Sequence, residues 1–189
     1  KVLKKETQSH SERVEIERFW SFESFDEIMK ELSYHLQGRE LERSVNFIDE
    51  DPENILTSVK FVKIQERKTE RNITNVINSH TSELEFEFAI DRTFYHLDKS
   101  YRNYGMMELE IESKKTGNYE TLDRFVNELI TDHQSKFRHW PHSKLATGLA
   151  VESLLSRREL NAGEDFDDDG LLTLSGAKKI ESFIKINPP

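Results

Sequence analysis

The sequence predicts an α+β domain, and three observations carry that reading. Stretches in the first two thirds alternate glutamate with apolar residues, the last third spaces its apolar residues at helical intervals, and no internal repeat or low-complexity linker divides the two. The clearest alternation runs from Met106 to Glu112, where Glu108, Glu110 and Glu112 interleave with Met107, Leu109 and Ile111. A strand sends successive side chains to opposite faces, so this stretch sets three carboxylates against three apolar groups. The pattern recurs at Val14-Glu15-Ile16-Glu17 and from Glu83 to Asp91. Strands of this kind either turn their glutamates to water or gather them round a cation, because like charges on facing strands repel. A hard divalent ion, Mg2+ or Mn2+, suits carboxylate oxygens. A closed sheet is the simplest way to give all these strands one inner polar face.

Taken in order, Lys1 to His10 is polar and expected to fray, which makes 1–12 a flexible segment. Ser24 and Glu27 stand at capping-box spacing ahead of Ile28, Met29, Leu32 and Leu36, a helix ended by Gly38. Leu41 to Ile48 reads as a short strand and Asp49 to Asn54 as an acidic turn. From Ile55 to Ile77, Lys60, Lys63, Arg67 and Lys68 interleave with apolar residues, which predicts two antiparallel strands joined near Thr69-Glu70. Glu83 to Tyr95 is the third acidic strand. Beyond Gly117, Leu122, Phe125, Val126, Leu129 and Ile130 give one helix, Ser143 to Arg157 a second, and Gly176 to Ile184 a third, with Trp140-Pro141 breaking the chain between the first two.

Composition narrows the function. The 189 residues suffice for one domain with a core. With 27 basic and 36 acidic residues the net charge is −9, so the chain has no cationic excess with which to bind nucleic acid non-specifically or an anionic membrane. Any bound phosphate must meet a local basic cluster, for which Lys60, Lys63 and Arg67 are candidates. No cysteine is present, which excludes disulfides and thiolate metal sites and points to the cytoplasm. No apolar run is long enough to span a bilayer. His139-Trp140-Pro141-His142 makes a poor zinc pair, since the proline breaks the spacing. Asp165, Asp167, Asp169 and Gly170 fit a calcium loop, but Gly176 stands where its bidentate glutamate belongs, and the plain reading is a solvated acidic turn before a helix.

Phe88-Ala89-Ile90-Asp91-Arg92-Thr93-Phe94-Tyr95, followed by Glu108-Leu109-Glu110-Ile111-Glu112 and Lys114-Lys115-Thr116-Gly117, resembles the second half of the CYTH domain of the triphosphate tunnel metalloenzymes. Val14-Glu15-Ile16-Glu17, the basic middle and the helix opened by His142-Ser143-Lys144-Leu145 resemble the rest of it, over roughly residues 13 to 157. The resemblance implies an eight-stranded antiparallel β tunnel, a closed barrel with flanking helices, over 13–160. Residues 161–189 would then form an acidic loop and a C-terminal helix packed on the same domain. It implies that Glu15, Glu17, Glu108, Glu110 and Glu112 bind Mg2+ or Mn2+, that Lys60, Lys63, Arg67, Arg92 and Lys144 grip a triphosphate, and that Glu15, Glu17 and Lys144 serve the chemistry. The implied activity is metal-dependent hydrolysis of a small-molecule triphosphate, inorganic, nucleoside or thiamine, with a homodimer allowed. The alternatives are a class IV adenylate cyclase-like reaction and binding of a polyphosphate or nucleotide without turnover. One departure bears on hydrolysis: Phe19 stands where the family places a lysine.

Overall fold

A computed structural model describes residues 2–6, 11–14, 21–35, 51–58, 60–95, 104–114, 119–133 and 136–187. The chain divides into two compact units, 1–64 and 65–189, where the sequence suggests one domain.

In the first unit, β1 (Val2–Glu6) and β2 (Ser11–Val14) pair antiparallel, so part of the stretch expected to fray is a strand. Helix α1 (Phe22–His35) starts earlier than its capping-box spacing suggests. Ser21 caps it instead, its Oγ accepting from Ser24 N at 3.1 Å. The expected acidic turn is the start of helix α2 (Pro52–Ser58). Pro52 takes the first helical position, where its missing N–H costs nothing, and Asp51 Oδ1 accepts from Glu53 N at 3.0 Å. Phe25, Met29 and Ile55 are buried together, with Leu56 and Phe61 packed against them. The glycine at 38 and the strand expected over 41–48 lie outside the described residues.

In the second unit, β3 (Arg67–Ile77), β4 (Leu84–Tyr95) and β5 (Tyr104–Ser113) form one antiparallel sheet in that order. This overturns the closed eight-stranded barrel. Among the described residues there are five strands in two separate sheets, and the three-stranded sheet is open, with β3 and β5 as its edges. The two expected basic strands are replaced by one, for local reasons: 52–58 is helical, and β3 runs unbroken through Thr69-Glu70. The turn falls later, at 78–83, where Asn78 Oδ1 accepts from His80 N and Thr81 N and Ser82 takes a positive φ of 58°. Edge strand β3 is exposed along almost its whole length, and its charged side chains discourage pairing with another chain.

The two faces of the sheet are covered differently. Helix α3 (Tyr119–Asp132) sets Phe125 against Phe86 and Phe88, at 6.4 and 5.3 Å between ring centres. Helix α4 (Lys144–Ser156) lies over the opposite face, and α5 (Leu174–Ile186) packs on α4. Apolar residues surround α4, as befits a helix buried on more than one side. Val151, Leu154 and Leu155 share a core with Tyr104, Phe166, Ile180 and Ile184. Each such side chain contributes about 1.5–3 kcal/mol by leaving water.

The segment 161–173 ties α5 to the sheet. Gly105 N donates to Gly170 O and Leu172 N to Gly105 O, both at 2.9 Å, while the Tyr104 and Phe166 rings stack at 4.0 Å. Asp165 is not the solvated acid expected: it is fully buried and accepts from Lys179 Nζ at 2.7 Å, Asn161 N at 2.9 Å and Ser175 Oγ at 3.1 Å. Burial would raise its carboxyl, but these donors hold it below the usual range.

Candidate functional site: a mixed-sign cluster on one sheet face

Register decides which charges meet. Arg71 pairs with Asp91 and Asp91 with Glu108, so these three stand in a row across β3, β4 and β5 on the face that meets α4. Glu110 lies one pair further along the same face, opposite Ala89. Lys144, the first residue of α4, reaches down onto them from the helix.

Arg71 grips Asp91 with both arms, Nε to Oδ1 at 2.7 Å and Nη2 to Oδ2 at 2.6 Å, and also meets Glu110 Oε2 at 2.5 Å. Lys144 Nζ lies 2.9 Å from Asp91 Oδ2 and 3.4 Å from Glu108 Oε2, and donates to Glu110 Oε1. The Asp91 side chain is 0% exposed, Glu108 13% and Lys144 16%, so water screens this cluster poorly.

The three carboxyls are treated unequally. Burial pushes Asp91 and Glu110 up, but Asp91 is brought below the usual range by Arg71 and then Lys144, and Glu110 by Lys144 and then Arg71. Burial also pushes Glu108 up. The Lys144 charge opposes this, but the long contact does not overcome it and Glu110 adds repulsion, so Glu108 stays above the ordinary value. Its Oε2 is buried, with the 3.4 Å approach of Lys144 Nζ as its long contact.

The structure brings together Glu108, Glu110 and Lys144 of the residues named from sequence. Glu112 shares their face but pairs with Lys114 at 3.2 Å, and Lys114 also holds Glu87 at 2.9 Å. Arg92 points the other way: it sits across from Glu70 and Met107 on the α3 side, its guanidinium 5.5 Å from the Phe94 ring centre. Lys63 and Arg67 do not share a strand face, because 61–66 is irregular. Lys63 pairs with Glu53 at 3.0 Å, and Lys60 follows α2 with a positive φ of 68°. Arg67 opens β3 on the face of Arg71 and donates to Gln65 Oε1 at 3.0 Å. Glu15, Glu17 and Phe19 lie outside the described residues. His142 meets the Trp140 ring edge-on at 5.2 Å.

Asp91 and Arg71 are the two site residues that the sequence reading passed over. Parity could have found both: Asp91 continues the Glu83-Glu85-Glu87 series, and Arg71 lies four residues from Arg67.

The donor set suits a hard cation in chemical type. Three carboxylates face two cations, leaving one negative charge over, and Glu108 Oε2 has the longest of the Lys144 contacts. As the side chains stand, no group of three or more His, Asp or Glu among the described residues has the arrangement of a metal site. Asp91 and Glu110 are instead held by Arg71 and Lys144.

Ser143 positions Lys144. Its side chain accepts from Ala146 N at 3.2 Å and caps α4. Ser143→Ala should lower stability in urea by about 1 kcal/mol, and should fray the turn that carries Lys144.

Comparison with protein-family models, with curated proteins and with solved structures gives no match. No helix among the described residues is long and apolar enough to cross a membrane.

Proposed function

We propose that the chain is a divalent-metal-dependent hydrolase of a triphosphate-containing small molecule, acting at the carboxylate face of the sheet. The observation that supports this most is the interleaving of two cations and three carboxylates within 2.5–3.4 Å on a face closed on one side by α4. In this reading Asp91, Glu108 and Glu110 would hold Mg2+ or Mn2+. A bound metal would neutralise phosphate charge and lower the pKa of water. Arg71 and Lys144 would exchange their carboxylate partners for phosphate oxygens, Arg71 through its two-armed guanidinium and Lys144 as a point charge. Phosphoryl transfer needs chiefly positioning and charge compensation, and this side-chain set supplies both without a covalent nucleophile. A cytoplasmic location agrees with the cysteine-free composition.

The test is phosphate release from inorganic triphosphate, ATP and thiamine triphosphate, with and without magnesium or manganese. Metal-dependent release by the wild type, reduced at least about 100-fold in Glu110→Gln, is the expected result. Tight triphosphate binding without release would favour the binding-only alternative, which the ready pairing of Asp91 and Glu110 with cations also suits. Neither binding nor release would end both readings.

A further inference from the structure

The charged residues that guard the open edge of β3 all stand in its first half, at Arg67, Lys68, Glu70 and Arg71. From Asn72 to Ser82 the chain carries no Asp, Glu, Lys or Arg, its longest run without one. Within that run Asn72-Ile73-Thr74-Asn75-Val76-Ile77-Asn78 reads almost the same in both directions. The one mismatch sets Thr74 against Val76, two β-branched side chains of nearly equal shape. Ile73 and Ile77, on the same side of the strand as Asn75, are 55% and 58% exposed.

Which backbone groups face outward follows from the bonds at the margins of the sheet. Gly105 spends its N–H and C=O on Gly170 and Leu172, away from β4, so by alternation Tyr104 bonds to Tyr95 and the odd residues of β4 face β5. The even residues of β4, Phe86 to Phe94, therefore face β3 and take up Lys68, Glu70, Asn72, Thr74 and Val76. The turn agrees, since Asn78 donates to Glu83 O and accepts from Ser82 N on that same side. Ile73, Asn75 and Ile77 are left with N–H and C=O directed outward, and among the described residues these groups meet no other strand.

We propose that two copies of this chain pair antiparallel through β3 about a two-fold axis at Asn75, joining the three strands of each into one continuous sheet. The register sets Ile73 against the partner's Ile77, Thr74 against the partner's Val76, and Asn75 against itself. The pairs at Ile73, Asn75 and Ile77 each exchange both N–H···O=C bonds, and the isoleucine pairs cover the exposed apolar side chains. A second copy fits better than an unrelated strand, because the stretch is complementary to itself and a two-fold contact closes both edges at once. Pairing over 72–78 alone is small beside the roughly 1,200–2,000 Å2 of a standard interface, so the dimer is reversible.

Sedimentation equilibrium of the wild type up to about 1 mM should show monomer in exchange with dimer. Amide exchange followed by NMR should slow at Ile73, Asn75 and Ile77 as the dimer fills, while Thr74 and Val76, already bonded to β4, stay unchanged. Asn75→Lys puts two ammonium groups face to face at the axis and should weaken the dimer at least about 10-fold. Asn75 is exposed in the single copy, so the variant should keep the monomer's fold. An equimolar mixture of Asn75→Lys and Asn75→Glu should regain the dimer as a mixed pair. A wild type still monomeric at about 1 mM overturns the proposal, and so does a dimer indifferent to Asn75→Lys. A dimer that Asn75→Lys weakens but the mixture does not restore overturns the axis at Asn75.

Discussion

Lys144→Met should lower stability at pH 7 by about 3–5 kcal/mol, the cost of leaving buried charge uncompensated. Methionine fills much the same space, so the loss isolates the ammonium. Asp91 and Glu110 would then share only Arg71, and Glu108 would lose its contact with Lys144. The deficit should depend on pH in a definite direction. In the wild type the Asp91 and Glu110 carboxyls lie below their ordinary values, so the stability they contribute is present above the unfolded value, near pH 4, and is lost as pH falls through the still lower folded value. Without Lys144 the same carboxyls move up, bind protons sooner and relieve their repulsion. The gap between variant and wild type should therefore narrow as pH is lowered from 7 toward 4. Urea denaturation at several pH values reads this out, and a gap that stays constant would mean that Lys144 acts through packing alone.

The second large effect is expected at Gly148. A Cβ there would stand 2.3 Å from Gln65 Nε2 and 2.5 Å from Tyr95 Cδ1. The amide of Gln65 can swing aside, although it would give up its 3.1 Å bond to Leu145 O. The Tyr95 ring cannot, being buried on every side. Gly148→Val must lift α4 from the sheet and should cost about 1–3 kcal/mol or more. Since α4 also carries Lys144, the triphosphate binding proposed above should weaken along with thermal stability when measured by calorimetry. Gly163→Ala is a suitable control, because a Cβ at Gly163 meets nothing within 4 Å and any loss there reports only its positive φ.

How much of this was legible in the sequence differs from element to element. The strand Tyr104–Ser113 was, because Glu-x-Glu-x-Glu against Met, Leu and Ile admits one period only, and so were the three helices of 119–186, whose apolar residues recur at helical spacing. Helix α2 was not, since Asp and Pro mark both turns and helix starts, and seven residues show too little periodicity to decide. The unbroken β3 was missed because Thr69-Glu70 is polar enough to pass for a turn, whereas the actual turn depends on the Asn78 side chain satisfying two backbone donors. The candidate site was half legible. Glu108, Glu110 and Lys144 could be named from the alternation and the resemblance, but that Asp91 and Arg71 complete the group follows only from strand register, which no single strand specifies. Closure into a barrel rested on the CYTH resemblance and on the number of acidic strands, and 52–58 and 60–66 do not supply the extra strands.

The bonds between Gly105 and the segment 170–172 bear on the order in which this protein is made. The ribosome delivers β5 long before it delivers Leu171, so the nascent sheet emerges with Tyr104 lacking Phe166 to stack on and with Gly105 unbonded. Lys144 arrives in between, yet the helix that carries it gains its apolar partners Ile180 and Ile184 only once α5 has been made. Until α5 emerges, Glu108 and Glu110 therefore lack a fully packed α4 to hold Lys144 on them. Removing α5 should accordingly trap a species that keeps the β3–β4 hairpin but leaves Glu108 and Glu110 open to solvent.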